Sequence, residues 1–123
     1  MPPYRRYALY YTPPPGKFAD FGASWLGWDA ARGEAVAQPH VEGLDLPALT
    51  AEPRKYGFHA TLKAPFRLAG GQGEDDLADA VDRLAGQLRP LSLEGLALTG
   101  IGPFMALTPE GDQTAMNAFA ARV

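Results

Sequence analysis

The chain has 123 residues, 46% of them hydrophobic, with no cysteine and a formal net charge of −3 at pH 7. The missing cysteines exclude disulfides and thiol chemistry, and the small charge argues against the many phosphate contacts of nucleic-acid binding. We expect one compact domain and, since neither an apolar run of about 18 residues nor a secretory signal is present, a soluble cytoplasmic protein with no membrane partner.

The first part of the chain predicts a strand, a helix and a long connection. Aromatic and β-favouring residues at positions 4–12 predict the first strand, and the prolines that follow end it. Aromatic residues at intervals of three and four predict a helix from Lys17 to Trp28 whose aromatic face lies in the core. This face consists of Phe18, Phe21, Trp25 and Trp28. Residues 29–50 have no sustained period, which predicts an irregular connection with a short helix from Pro47 to Glu52.

The second strand is predicted from Phe58 to Leu68, and the alternation of its side chains separates two faces. The apolar face suits packing under a helix and comprises Phe58, Ala60 and Leu62. The polar face comprises His59, Thr61 and Lys63. Three functional side chains are therefore expected side by side on one face of this strand.

The last part of the chain predicts a helix, two strands and a final helix. Glycines at 70–73 predict an ordinary turn, because the Gly-Lys-Ser/Thr ending of a phosphate-binding loop is missing. Acidic residues at 74–76 and helical apolar spacing then predict a helix that ends by Pro90. Two strands that extend the sheet are predicted at 91–98 and 104–107. An amphipathic helix without a capping signal reaches Val123, and the order of elements predicts an α+β fold, a two-layer sandwich.

His59 and Thr61 are the candidate functional residues. An imidazole takes or gives a proton near neutral pH, and a hydroxyl two residues along the same face can donate a hydrogen bond to a phosphate oxygen. Lys63 and the basic pair at 54–55 add positive charge for a phosphoryl transition state, and Tyr56 adds a donor or a stacking surface. A bare His-x-Thr pattern is more often structural than catalytic, so the surrounding sequence has to decide.

The segment from Lys55 to Phe66, KYGFHATLKAPF, closely resembles the first histidine motif of the 2H phosphoesterase superfamily. Residues 7–16, 25–27 and 38–39 are also similar to the N-terminal half of the branch associated with phosphonate metabolism, so the resemblance covers essentially the whole chain. It implies a bilobal fold in which each lobe contributes one His-x-Thr/Ser strand to a shared cleft. One histidine then acts as general base and the other as general acid, while the two hydroxyls hold the phosphate.

This resemblance implies a role for each candidate residue. His59 becomes the proton-transfer residue and Thr61 the phosphate anchor, with Lys63 and Tyr56 as substrate contacts. The implied activity is metal-independent, cofactor-free hydrolysis of a phosphodiester or cyclic phosphate in a small phosphorylated metabolite. The alternative is a non-catalytic module that binds a phosphorylated ligand.

The second histidine motif of that superfamily is missing from the chain. The only other histidine, His40, is followed two residues later by Glu42 instead of a hydroxyl, and we interpret it as an exposed loop residue. Three alternatives remain. Residues 1–123 form one domain, the N-terminal lobe of a longer protein whose second motif lies beyond Val123; or a homodimer supplies the partner histidine; or the domain binds its ligand without turnover. In the first case the chain alone is expected to be inactive.

Overall fold

The computed structural model describes residues 6–123 and divides them into two compact units. The first, called the histidine unit here, is Ala8–Ala64. The second, called the hairpin unit, comprises Pro65–Val123 together with residues 6 and 7. No helix in residues 6–123 combines the length and the apolar character that crossing a membrane requires.

Strands β1 (Tyr7–Tyr11) and β4 (Ala60–Phe66) pair with each other. Both are shorter than predicted, and residues 4 and 5 of the first predicted strand lie outside the described residues. Gly57 has a left-handed backbone (φ +80°), which breaks the extended conformation just before β4. His59 is consequently the residue that leads into the strand, and not a member of it as predicted.

Helix α1 (Lys17–Leu26) ends two residues before its predicted end. Gly27 has a left-handed backbone (φ 79°), and its N–H donates to the carbonyl of Ala23 at 2.8 Å, which closes the last turn. Trp28 therefore leaves the helix and enters strand β2 (Trp28–Asp29), which pairs antiparallel with β3 (Glu34–Ala35). The connection predicted as irregular thus begins with a short hairpin.

The aromatic face of α1 is exposed, so the prediction that it forms the core is wrong. The exposed fractions are 41% for Phe18, 52% for Phe21 and 38% for Trp25. The helix instead buries Gly22 and Leu26, which also lie four residues apart on one face. Gly22 is suited to this contact because any side chain there would overlap the ring of Phe58. Helical spacing identified a common face but not which face the rest of the chain covers.

Two short helices, α2 (Leu46–Leu49) and α3 (Ala51–Arg54), replace the single short helix predicted from Pro47 to Glu52. The side chain of Asp45 begins α2 by accepting a hydrogen bond from the N–H of Ala48 at 3.3 Å. Among the described residues, the buried hydrophobic side chains are Leu26 and Leu46. The core of the described residues therefore lies in the histidine unit, with one buried side chain from α1 and one from α2.

The hairpin unit contains two helices and one pair of strands. Helix α4 (Glu74–Gln87) ends before Pro90, as predicted. Strands β5 (Leu96–Ile101) and β6 (Phe104–Pro109) form an antiparallel hairpin, and helix α5 (Thr114–Arg122) follows. These elements confirm the predicted order and the α+β class.

The predicted single sheet does not form in residues 6–123. The described strands make three separate two-stranded sheets: β1–β4, β2–β3 and β5–β6. The prediction that the last two strands extend the first sheet is wrong because they pair only with each other, across the two-residue turn between Ile101 and Phe104. Such a turn brings neighbouring strands together at little cost in chain entropy.

Candidate functional site

All four predicted site residues lie in the histidine unit, in the turn after α3 and in β4. Tyr56 and His59 belong to the turn, and Thr61 and Lys63 to the strand. The turn requires glycine at Gly57, because its φ of +80° disfavours other residues and a Cβ there would lie 2.8 Å from the Cβ of Ala30.

The imidazole of His59 is held by the backbone of its own turn. Its Nδ1 lies 2.8 Å from the carbonyl oxygen of Gly57, and the residue is half-buried. Because a carbonyl oxygen can only accept a hydrogen bond, Nδ1 must carry the proton and donate it. The neutral ring then presents an unprotonated Nε2, and the imidazolium presents an Nε2–H. One nitrogen atom can thus accept a proton and afterwards donate a hydrogen bond to an anion.

Two tyrosines lie beside the His59 ring. Tyr10, on β1, stacks on it with ring centroids 3.9 Å apart and planes 25° from parallel. Tyr56 is more distant, with centroids 6.4 Å apart and a 45° tilt, and it is 61% exposed. The sequence predicted Tyr56 but missed Tyr10, because the aromatic run at 7–11 does not reveal which strand β1 pairs with.

Thr61 and Lys63 are exposed on β4. They are two residues apart in one strand, so their side chains project from the same face. No other residue in 6–123 forms a hydrogen bond with the Thr61 hydroxyl, which is thus available to a ligand. Since His59 precedes the strand, the prediction that it shares this face stays a prediction.

Arg54 does not supply free charge to the site as predicted, because its guanidinium is used in packing. Its Nε donates to the carbonyl of Leu26 at 2.7 Å, and its Nη2 to the carbonyl of Pro47 at 2.6 Å and to the Thr50 hydroxyl at 2.8 Å. The neighbouring Lys55 forms an exposed ion pair with Glu52 at 3.1 Å. Among the basic residues predicted for the site, Lys63 lies on β4.

A hydrogen-bonded network centred on Thr50 holds the end of α1 against α2. The buried Thr50 hydroxyl donates to the Leu46 carbonyl at 2.8 Å and accepts from Gln38 Nε2 at 2.9 Å. Gln38 Nε2 also lies 2.7 Å from the carbonyl of Trp25. Together with Arg54, these bonds satisfy carbonyls that a helix end leaves without partners. Residues 25–27 and Gln38, which carried part of the resemblance, thus have a structural role.

Two other features have the structural role that the sequence predicted. His40 is exposed in the irregular segment between β3 and α2. The glycines at 70–73 form a turn, and the N–H of Gly73 donates to the carboxylate of Asp76 at 2.8 Å. A carboxylate thus occupies the start of α4, where a phosphate would bind.

An open depression of about 400 Å³ lies in the histidine unit. Its lining consists of Trp28, Ala51, Arg54 and Lys55. It includes none of the four predicted site residues. The candidate site around His59 is thus not part of the lining of this depression.

Two curated relatives resemble the chain over nearly all of its length. A protein of Janthinobacterium sp. (strain Marseille), named ribose 1,5-bisphosphate phosphokinase PhnN, is 38% identical over 121 residues, which are 95% of the chain and 27% of that protein. A protein of the same name from Laribacter hongkongensis (strain HLHK9) is 36% identical over 116 residues, 94% of the chain and 28% of that protein. The chain thus spans about a quarter of the length of these relatives. No solved structure matches it.

The second half of the chain matches a family model. The model described as "Protein of unknown function (DUF1045)" matches residues 61–123, from the candidate phosphate anchor through the whole of α5. The match covers just over half of the chain and includes both Thr61 and Lys63. The chain therefore belongs to the DUF1045 family of proteins of unknown function.

Proposed function

We propose that the histidine unit provides one half of a metal-independent phosphodiester-hydrolysing site, as one lobe of a 2H-type phosphoesterase. The substrate class is a small phosphorylated sugar that carries a diester or cyclic phosphate. The observation that carries this proposal is the hydrogen bond from His59 Nδ1 to the Gly57 carbonyl at 2.8 Å. It fixes the tautomer in which Nε2 is ready to exchange a proton with a ligand.

The chemistry assigns one task to each residue. Water attacks phosphorus, a new P–O bond forms, and the bond to the leaving sugar oxygen breaks. His59 Nε2 takes the proton of the attacking water or, as imidazolium, gives one to the leaving oxygen. The Thr61 hydroxyl donates to a non-bridging oxygen, and the Lys63 ammonium stabilises the negative charge. Tyr56 contacts the sugar.

The opposite proton transfer needs a second group, for which the sequence offers no second His-x-Thr. In our proposal it comes from a second lobe, with residues 1–123 as the N-terminal lobe of a longer protein. A homodimer is the competing source. If the second group comes from a second lobe, residues 1–123 alone should bind a phosphorylated ligand without turning it over. If it comes from a homodimer, the chain should also turn the ligand over.

The names of the two relatives support the substrate class. Both name ribose 1,5-bisphosphate, a small sugar with two phosphate groups. This agrees with the phosphorylated sugar, and with the link to phosphonate metabolism, that the resemblance implies. Neither name states a diesterase activity.

The same names favour a second candidate function, a binding module for phosphorylated ribose that accompanies a kinase. The chain itself is a poor candidate for the phosphokinase active site. It lacks the Gly-Lys-Ser/Thr ending of a phosphate-binding loop, and Asp76 occupies the start of the helix after its glycine-rich turn. A binding role requires only His59, Thr61 and Lys63.

Ligand binding and ³¹P NMR distinguish these functions. The wild type, His59→Ala, Thr61→Val and the control His40→Ala are titrated with a ribose cyclic phosphate and with ribose 1,5-bisphosphate. We expect His59→Ala and Thr61→Val to weaken binding of the cyclic phosphate about tenfold, as loss of a hydrogen bond to a charged group does, and His40→Ala to leave it unchanged. Cyclic-phosphate opening that requires His59, in this chain or a longer form, supports the hydrolase. Binding of the bisphosphate alone supports the module, and equal binding by all variants rejects both.

A further inference from the structure

Tyr10 lies against the candidate catalytic imidazole, and neither the His-x-Thr pattern nor the segment from Lys55 to Phe66 includes it. Its ring lies 3.9 Å from that of His59, centroid to centroid, and the two planes are 25° from parallel. This is a face-to-face contact, closer than the offset stacking distances of most aromatic pairs. Tyr10 belongs to β1 and His59 to the turn before β4, so pairing of these two strands brings them together.

The His59 ring has two separate restraints. The hydrogen bond to the Gly57 carbonyl holds Nδ1, but a single bond still allows limited rotation of the imidazole about the Cβ–Cγ bond. A stacked ring opposes that swing, because any rotation out of the plane pushes the imidazole into the tyrosine. The two restraints together determine both the tautomer and the direction of Nε2.

We propose that Tyr10 is a positioning residue that holds the His59 imidazole in its Nδ1–H tautomer with Nε2 directed at the phosphate. The aromatic ring supplies this effect, and the phenol hydroxyl is not required. Tyr10 touches the imidazole and not the reacting atoms, so it acts through His59. The link to phosphate rests on the proposed function, whereas the effect on the ring does not.

The neighbouring Tyr11 offers a matched control. It is the same residue type in the same strand and is 48% exposed, against 39% for Tyr10. Adjacent strand residues project to opposite faces, so Tyr11 cannot stack on the same imidazole. Val replaces either ring while keeping a residue that strands favour.

Nitrogen-15 NMR of the histidine rings tests the proposal. In the wild type, we expect the Nδ1–H tautomer for His59 and upfield ring protons from the stacked tyrosine, with His40 as the unstacked reference. Tyr10→Val should lower the ratio of Nδ1–H to Nε2–H tautomers about three- to tenfold, the factor that a stacking contact corresponds to. Tyr10→Phe and Tyr11→Val should preserve it. Ring protons in the wild type that match those of His40, or an unchanged tautomer in Tyr10→Val, would overturn the proposal.

Binding of inorganic phosphate separates this inference from the proposed function. If both hold, Tyr10→Val weakens phosphate binding by a similar factor and Tyr10→Phe does not. If the tautomer changes but phosphate binding never depends on His59, Tyr10 still positions the ring and the proposed function is wrong. The wild-type ring-proton shifts require no substitution, so shifts that match those of His40 would overturn the proposal even if Tyr10→Val does not fold.

Discussion

Arg54 and Gly57 shape the segment that leads to the candidate histidine, although neither carries the chemistry. Arg54 joins three acceptors on α1, α2 and Thr50, and Gly57 makes the turn from which His59 projects. The sequence gives the residue type at both positions, and a basic residue near a phosphate motif suggests ligand binding. Only the structure reveals that Arg54 reaches the Leu26 carbonyl, 28 residues away, as well as the Pro47 carbonyl and the Thr50 hydroxyl. Local patterns do not encode such contacts.

Replacing Arg54 should destabilise the protein even though the residue is not in the site. Arg54→Lys keeps the charge but lacks the planar fork that reaches three acceptors, so it cannot satisfy the Leu26 carbonyl on α1 and the Pro47 carbonyl on α2 together. We expect a loss of about 2 kcal/mol in the free energy of unfolding, measured by urea denaturation. Lys55→Met is the control and should change it by less than about 0.5 kcal/mol, because the Lys55 ion pair is exposed. Equal effects of the two substitutions would contradict the structural role.

The turn before His59 should not tolerate a side chain at Gly57. Gly57→Ala places a Cβ at positive φ and 2.8 Å from the Cβ of Ala30. Gly33→Ala separates the two costs, because Gly33 also has positive φ (68°) but nothing lies within 4 Å of the added Cβ. We expect about 1 kcal/mol of destabilisation for Gly33→Ala and clearly more for Gly57→Ala. Thermal denaturation provides the comparison, and equal losses would mean that the Ala30 contact relaxes freely.

At the scale of elements, the sequence predicted where helices begin better than what their faces contact. Helix α4 starts at its acidic residues and ends before Pro90 as predicted, because these signals act within one turn of the chain. The end of α1 was missed because Gly27 stood inside an unbroken aromatic period. The burial of α1 and the pairing of β5 with β6 were missed for another reason, since both depend on which segments meet. For the candidate site, the sequence identified the His59 and Thr61 pattern but not the contact between Tyr10 and His59.

The start of α5 should depend on pH through Asp112. Its carboxylate accepts hydrogen bonds from the Thr114 hydroxyl at 2.7 Å and from the Thr114 N–H at 2.9 Å, and these bonds lower the pKa of Asp112 below its ordinary value. A lowered pKa in the folded state stabilises the helix above the unfolded pKa of about 3.9, and the contribution is lost as the pH falls through the folded value. Asp112→Asn cannot ionise. We expect wild type to have the more stable α5 at neutral pH.

Hydrogen exchange of the α5 amides, followed from pH 7 downwards, checks this dependence. The difference between wild type and Asp112→Asn should shrink as the pH falls below about 4 and should then disappear. A difference that persists in acid would mean that shape and not charge distinguishes the two side chains. Leu98→Thr is the control. Strand β5 contains no ionisable side chain, so this substitution should leave the pH profile unchanged.

At the scale of the whole molecule, much apolar surface stays exposed. The β5–β6 hairpin is the clearest case, because its register places Leu98 opposite Leu107, and Gly100 opposite Met105, on one face. Leu98 and Met105 are 68% and 67% exposed, whereas the Thr99 hydroxyl on the other face bonds to that of Thr108 at 2.7 Å. The sequence predicted these two strands but not that their apolar face would be exposed. An exposed apolar strand face promotes association in water.

Removing the apolar side chains of this face should therefore improve solubility at almost no cost in stability. In the double variant Leu98→Thr with Met105→Thr, little buried area is lost, so we expect the free energy of unfolding to change by less than about 0.5 kcal/mol. Self-association in sedimentation velocity at high concentration should decrease. Leu26→Thr is the contrasting control, because Leu26 is only 7% exposed and its loss should cost about 3 kcal/mol. If the double variant lost as much free energy of unfolding as Leu26→Thr, Leu98 and Met105 would be packed against other residues and not exposed.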